Sequence, residues 1–166
     1  MAIDQFNRSL PMVLHRALDA VMPRFRKIFN DFGLTEQQGR VLRVLWEHEQ
    51  ITLRELSDLT LIAAPSLVGI VDRLQRAGLV ARRKSDRDRR KVFVQTTRTG
   101  AALEADIMPA IASAYARLKQ SVDAGTWEQV LDGLEQIANP GGGRPGDSPD
   151  DSPARRDSAP VVLPDL

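Results

Sequence analysis

APSLVGIVDRLQRAGLV, residues 64 to 80, is the stretch from which the architecture is read most directly. Leu67, Ile70, Val71 and Leu74 recur at i, i+3, i+4 and i+7, which sets four aliphatic side chains on one stripe of a helix. The opposite face carries Pro65, Gly69, Asp72 and Arg76, with Ser66, Val68 and Arg73 at its margins. Its first turn, from Ala64, is small and uncharged, so this helix can press closely against a flat or grooved partner. Gly78 stands where the helix should stop and supplies the left-handed residue that a C-terminal cap often needs.

Working outward, Thr52 and Glu55 have the S/T-x-x-E spacing of a capping box, opening a short helix that bears Leu53, Leu56 and Leu59. A turn through Leu61 to Ala63 joins it to the next helix. On the other side, RRKSDRDRRKVFVQTTRTG, residues 82 to 100, reads as two short strands around a charged turn. Helix, turn, helix and basic hairpin together make a winged helix-turn-helix. In that plan the second helix enters the major groove of a DNA duplex and the hairpin reaches along the backbone.

The charge distribution agrees. Residues 82 to 98 hold eight arginines and lysines against two aspartates, an excess of six, while the whole chain is only +1. Positive charge is therefore concentrated where a phosphate-binding surface is expected. Base readout is assigned to Pro65, Ser66, Val68 and Gly69, with Ala64 beside them in the DNA-binding set. Ser66 is the hydrogen-bonding side chain among them, and Val68 or Pro65 suits a thymine methyl. Arg73 and Arg76 are assigned to phosphates, which fix register without specifying sequence. In the wing, Arg83, Arg87, Asp88, Arg89, Arg90 and Lys91 complete the expected DNA-binding set. A basic run is also what an ordinary solvated face looks like, so a winged module that binds protein instead of DNA, without ligand response, is the alternative.

VDRLQRAGLVARR followed by DRRKVFVQTTRTG resembles the MarR family of bacterial transcriptional regulators, whose wing ends in a V-x-L-T-x-x-G pattern. With LTEQQGRVLRVLWE, residues 34 to 47, and APSLVGIVDRL, the likeness is strongest to the subgroup repressing aromatic-acid catabolism, the homoprotocatechuate operon repressors among them. It spans roughly residues 10 to 138. The resemblance implies that Asp88, Arg89 and Arg90 form the family's D-x-R wing motif. Arg90 then enters the minor groove, where negative potential attracts a guanidinium, and Asp88 orients a neighbouring arginine. Two positions depart from the pattern: Gly39 stands where the subgroup commonly has Trp, and Thr96 where the wing motif has Leu. The first is expected to enlarge a ligand pocket, the second to loosen the packing of the wing.

The 166 residues suffice for one domain with a real core. A first helix is expected over about 10–32. Leu14, Leu18, Val21, Phe25, Ile28 and Phe32 are spaced 4, 3, 4, 3, 4, a coiled-coil-like seam widened by Met22 and Phe29. Pro23 should kink it or force a local irregularity. Thr35 and Gln38 make a second capping box for a helix carrying Val41, Leu42, Leu45 and Trp46, and His48 is expected as an exposed cap at its end. After the wing, Thr97 or Thr99 should cap a long helix from about 101 to 122, with Leu103, Ile107, Ile111, Ala114 and Leu118 along one stripe and a kink at Pro109. Thr126 and Gln129 suggest a third capping box, before a helix with Trp127, Val130, Leu131, Leu134 and Ile137 on one face.

The expected fold class is thus mainly α with a small β-wing. Residues 1–138 form a single domain: a winged helix-turn-helix over about 34–100 and dimerisation helices over about 10–32 and 101–138. Two flanking apolar elements without DNA-binding chemistry most simply make a two-fold helical interface, hence a homodimer. From 139 to 166 the composition turns to Pro, Gly, Ser and Asp with a net charge of −2, and a disordered tail is expected.

Other classes are excluded by what is missing. No cysteine occurs, so no disulfide, thiolate metal site or cysteine redox sensor exists. No metal-ligand cluster, phosphate loop or nucleophile elbow appears, and two histidines are too few for most general-base arrangements. Catalytic residues, metal and cofactors are all expected to be none. Eight aromatic residues offer little for stacking unpaired bases, which favours duplex DNA as partner. With no signal peptide or apolar run of membrane length, no membrane partner and a cytoplasmic location are expected. The family resemblance implies a small aromatic carboxylate as effector, releasing a repressor from a near-palindromic operator. His15 and Arg16 on the first helix, and Gln38 and Arg40 at the start of the second, are the candidate ligand residues. Arg16 is the first choice, because a planar guanidinium matches a carboxylate.

Overall fold

The structure is a computed structural model that describes residues 6–84, 91–123 and 125–139. After a short helical stretch at residues 6 and 7, the elements follow in the order α1 (Leu10–Asp31), α2 (Glu36–Glu47), β1 (Ile51–Thr52), α3 (Leu53–Thr60), α4 (Ala64–Arg76), β2 (Val80–Lys84), β3 (Val92–Thr96), α5 (Arg98–Lys119) and α6 (Thr126–Ala138). The expected tail falls, from residue 140 on, outside the described residues.

Local chemistry explains where these elements begin. Thr35 and Thr52 each accept a hydrogen bond from the backbone N–H three residues on, at 3.2 and 3.3 Å. Gln38 and Glu55 each accept one back from the threonine N–H at 2.8 Å. Thr97, not Thr99, caps α5, its hydroxyl accepting the Gly100 N–H at 3.1 Å. The third expected box does not form. Gln129 N–H donates to the Gly125 carbonyl, so Gly125 (φ +89°) is the N-cap and Thr126 already lies inside the helix, one position too far along to cap it. Proline interrupts neither long helix: α1 runs continuously through Pro23 and α5 through Pro109.

The strands form an antiparallel sheet in the order β1-β3-β2, with Ile51 opposite Val94 and Val80 opposite Thr96. The two-residue β1, not expected from the sequence, closes this sheet against the helix-turn-helix. Because the chain turns back there, His48 is 7% exposed where an exposed cap was expected, and its Nδ1 donates to the Val44 carbonyl at 2.8 Å. Thr96 is buried too. Among the described residues no buried side-chain polar atom lacks a partner, so its hydroxyl is accommodated where the family pattern has Leu.

One core runs through the winged part and into the long helices. Val41, Leu42, Leu45, Ile51, Leu56, Leu67, Val71, Leu74, Val94 and Ile107 are fully buried, and Phe25, Phe29, Ile111 and Ala114 extend the core between α1 and α5. Trp46 anchors it, its indole N–H donating to the Gly100 carbonyl at 2.9 Å. Gly39 is buried, and a Cβ built on it would stand 2.3 Å from Cδ1 of Phe29. The space that a side chain at position 39 would fill is therefore occupied by that ring, and the expected enlargement of a pocket at Gly39 is not realised.

Candidate nucleic-acid interface

The orientation of α4 follows from its buried stripe. With Leu67, Ile70, Val71 and Leu74 all at 1% exposure or less, the helix has no rotational freedom, and Ala64, Pro65, Ser66, Val68, Arg73 and Arg76 are exposed. Gly69 is half-buried. It leaves room on its side for the Arg73 guanidinium, whose Nη1 would be 3.8 Å from a Cβ placed there. The N-terminal end of α4 has no side-chain cap, since Ala63 has none to offer. Its first N–H groups are thus available to an anionic partner. The turn before it is tightly held. Leu61 takes a left-handed conformation (φ +54°) at the end of α3, with Ser57 Oγ donating to the Ile62 carbonyl at 2.7 Å and Arg40 Nη1 to the Thr60 carbonyl at 3.2 Å.

The wing is tied to this helix at its base. Arg82 of β2 pairs with Asp72 Oδ1 at 2.5 Å, donates to Gln75 Oε1 at 2.9 Å, and reaches the Val68 carbonyl at 3.5 Å. Arg82 was one of the eight cations in the wing's charge count. In the fold it braces β2 against α4 instead of adding a free charge to the outer surface. Arg83 and Lys84 are exposed beyond it and Lys91 is half-buried. Arg87, Asp88, Arg89 and Arg90 lie outside the described residues. What the described part presents is a small-faced helix, an uncapped N-terminus and one basic strand, β2, on one module. A helix of 10–12 Å diameter matches the roughly 12 Å width of the major groove.

The four candidate ligand residues do not converge. Arg16 is exposed and donates to the Asn7 carbonyl at 2.5 Å, while His15 beside it is exposed as well. Gln38 Oε1 is engaged in the helix cap, and Arg40 is ion-paired with Glu36 at 2.6 Å. Helix α1 meets the start of α2 where Phe29 covers Gly39. Arg16 is thirteen residues before Phe29, about 20 Å along the helix at 1.5 Å per residue. Within one chain, then, a single small molecule cannot touch both pairs.

A different cluster forms at the junction of the long helices and the winged part. Tyr115 of α5 packs against Phe25 of α1 (ring centroids 5.1 Å apart, tilted by 55°) and edge-on against Trp127 of α6 at 6.5 Å. Arg43 of α2 donates to the Tyr115 hydroxyl at 3.3 Å, with its guanidinium carbon 5.7 Å from the ring centroid. Among the described residues Arg43 has no carboxylate partner. Guanidinium and aromatic rings at one half-buried place are the groups that recognise an aromatic carboxylate. Arg43 and Tyr115 are 72 residues apart, and neither is conspicuous alone. The one available signal was that Tyr115, the chain's single tyrosine, stands beside Ala114 on the apolar stripe of α5.

With this geometry established, the likeness to known proteins is specific. The model of the MarR family matches residues 34–92, the helix-turn-helix and its wing. The homoprotocatechuate degradative operon repressor of Escherichia coli is 35% identical over 144 residues, 87% of this chain and 97% of that protein. The crystal structure of the transcriptional regulator PA4135 is 32% identical and superposes with a TM-score of 0.73, covering 79% of this chain and 96% of that one. NadR in complex with 4-hydroxyphenylacetate gives 33% identity and a TM-score of 0.70, over 78% of this chain and 92% of that one. The winged architecture, the small-faced α4 and a likeness that runs through both long helices lead to one conclusion: the chain belongs to the MarR family of transcriptional regulators.

Proposed function

We propose that the protein is a cytoplasmic, non-enzymatic repressor that binds a near-palindromic operator in duplex DNA as a homodimer and leaves it when a small aromatic carboxylate binds. The observation that carries the DNA-binding half is the outer face of α4. Four buried aliphatic residues lock the helix so that Pro65, Ser66, Val68 and Gly69 face away from the core, flanked by Arg73 and Arg76. Each subunit places this helix in one major groove, with half-sites about one helical turn apart, 10–10.5 base pairs. Arg83 and Lys91, and Arg87 to Arg90 beyond the described residues, serve the flanking backbone and minor groove.

The effector half rests on the Arg43–Tyr115 cluster, which replaces Gln38 and Arg40 as the carboxylate site. It is supported by NadR, a relative whose structure holds 4-hydroxyphenylacetate. Arg43 would take the carboxylate, and Tyr115, Phe25 and Trp127 the ring. His15 and Arg16 contribute only if supplied by the second subunit. No helix among the described residues is long and apolar enough to cross a membrane.

A retardation assay on duplexes recovered by selection from random sequence tests the first half. Specific binding whose logarithm falls linearly with the logarithm of salt concentration, at about −0.9 per neutralised phosphate, is the expected result. Absence of specific duplex binding would overturn it in favour of a protein-interaction module. Calorimetry with hydroxylated benzoic, phenylacetic and cinnamic acids tests the second half. Binding should be lost in Arg43→Ala and retained in Arg40→Ala.

A further inference from the structure

The chain passes between the long helices and the winged part at two places, and they are built differently. Between α1 and α2 it passes through Gly33, left-handed at φ +70°, where a Cβ would meet nothing within 4 Å. Between β3 and α5 it passes through Thr97 to Gly100, and there the backbone is tightly stitched to the end of α4. Thr97 N–H donates to the Leu79 carbonyl at 3.0 Å, extending the β2-β3 ladder by one rung beyond the Val80–Thr96 pair. The Thr97 hydroxyl donates to the Gly78 carbonyl at 2.6 Å and accepts the Gly100 N–H at 3.1 Å. A Cβ on Gly100 would stand 2.1 Å from the Leu79 carbonyl oxygen and 3.0 Å from its carbon. Both are backbone atoms that cannot swing aside. Trp46 closes the joint from the core side through its bond to the Gly100 carbonyl.

Gly78 and Leu79 follow α4 after the single residue Ala77, and Gly100 lies in the first turn of α5, a helix of 22 residues. A helix of that length is a lever of about 33 Å. At its root it touches the exit of the recognition helix backbone to backbone, with no side chain between to absorb a tilt. We propose that Thr97 and Gly100 are positioning residues for operator binding. They fix the angle between α4 and α5, and through it the separation of the two α4 helices in the dimer, so the joint determines which half-site spacing the protein accepts. This rests on the dimeric DNA-binding reading above and adds to it the place where the spacing is set.

The test uses the full chain and duplexes selected by the wild type, remade with one or two base pairs inserted or removed at the centre. A change of two base pairs turns one half-site relative to the other by roughly 70°, and the wild type should bind such duplexes at least about tenfold more weakly than its preferred one. In Gly100→Ala that ratio should fall below about threefold, or the preferred spacing should move, while sedimentation still shows the wild-type mass. Thr97→Val removes the hydroxyl at nearly constant shape and should narrow the ratio in the same direction, which keeps the test valid if Gly100→Ala does not fold. Thr97→Ser keeps both hydroxyl bonds and should restore the wild-type profile. Thr35→Ala, which weakens the cap of α2 away from the joint, controls for lost stability and should weaken all spacings equally. If Thr97→Val and any folded Gly100→Ala also keep the wild-type ratio, the joint does not set the spacing and the inference is overturned on its own. If the wild type selects no duplex, the DNA-binding reading fails first and takes the inference with it.

Discussion

Helices α4 and α6 are both thirteen residues long and both amphipathic, yet they end in opposite situations. In α4 the apolar stripe is closed off by the rest of the chain, with Leu67, Val71 and Leu74 at 0% exposure. In α6 no residue is buried. Val130, Leu131 and Ile137 remain 49, 41 and 57% exposed, and on α1 Leu10, Val13 and Leu18 are similarly bare. Periodicity therefore identifies the face to be covered without saying by what. In α4 the covering is intramolecular, which leaves the small polar side for DNA. In α6 it has to come from elsewhere, and a second copy of the chain is the simplest source.

The sharpest break of this comparison is Leu67→Ala. It should lower folding stability by about 2–5 kcal/mol, the usual effect of emptying a buried leucine site, as read by denaturant unfolding. Leu131→Ala should do little to the isolated chain by the same measure. The more severe Leu131→Asp should leave the helical circular dichroism of the chain intact but shift sedimentation to the monomer and weaken operator binding at least about 100-fold, roughly 2.8 kcal/mol. A dimer that persists in Leu131→Asp would remove α6 from the interface. On the other helix, Ser66→Ala should leave folding and dimerisation alone. It should relax discrimination at one base pair in each half-site by about 1–3 kcal/mol, measured on single-substitution duplexes. The smallest effects concern the helix starts. Thr52→Ala should destabilise the fold by about 1 kcal/mol because a real cap is lost, whereas Thr126→Ala should stay within about 0.5 kcal/mol because it caps nothing.

That last pair shows how far residue patterns carry. Thr35, Thr52 and Thr126 all stand three residues before a Glu or Gln, and two of the three form boxes. The third fails because Gly125 adopts a left-handed conformation and starts the helix one residue early, a choice made by the chain path rather than the motif. The winged helix-turn-helix was legible because its signals are local: a stripe, a box, a glycine stop, an alternating basic hairpin. His48 and β1 were not, since burial there depends on β3 returning from more than forty residues away to pair with Ile51. The carboxylate site proposed at Arg43 was the least legible. Arg43 on α2 resembles any surface arginine until α5 brings Tyr115 beside it. Arg16 and Arg40 do not meet within one chain for the converse reason, because nearness to a boundary in sequence is not nearness along a helix about 33 Å long.

The contact between Phe29 and Gly39 restricts how this protein could have diverged from its relatives. Even a methyl group at position 39 would collide with the Phe29 ring, so a side chain there requires that ring to move or be replaced. A change toward a bulky aromatic at 39 requires the ring at 29 to shrink or leave first, and that intermediate would carry a cavity in the core between α1 and α2. The two positions form a lock with an order of opening. Changing the two residues one at a time would therefore pass through a less stable chain, whatever small molecule the regulator answers.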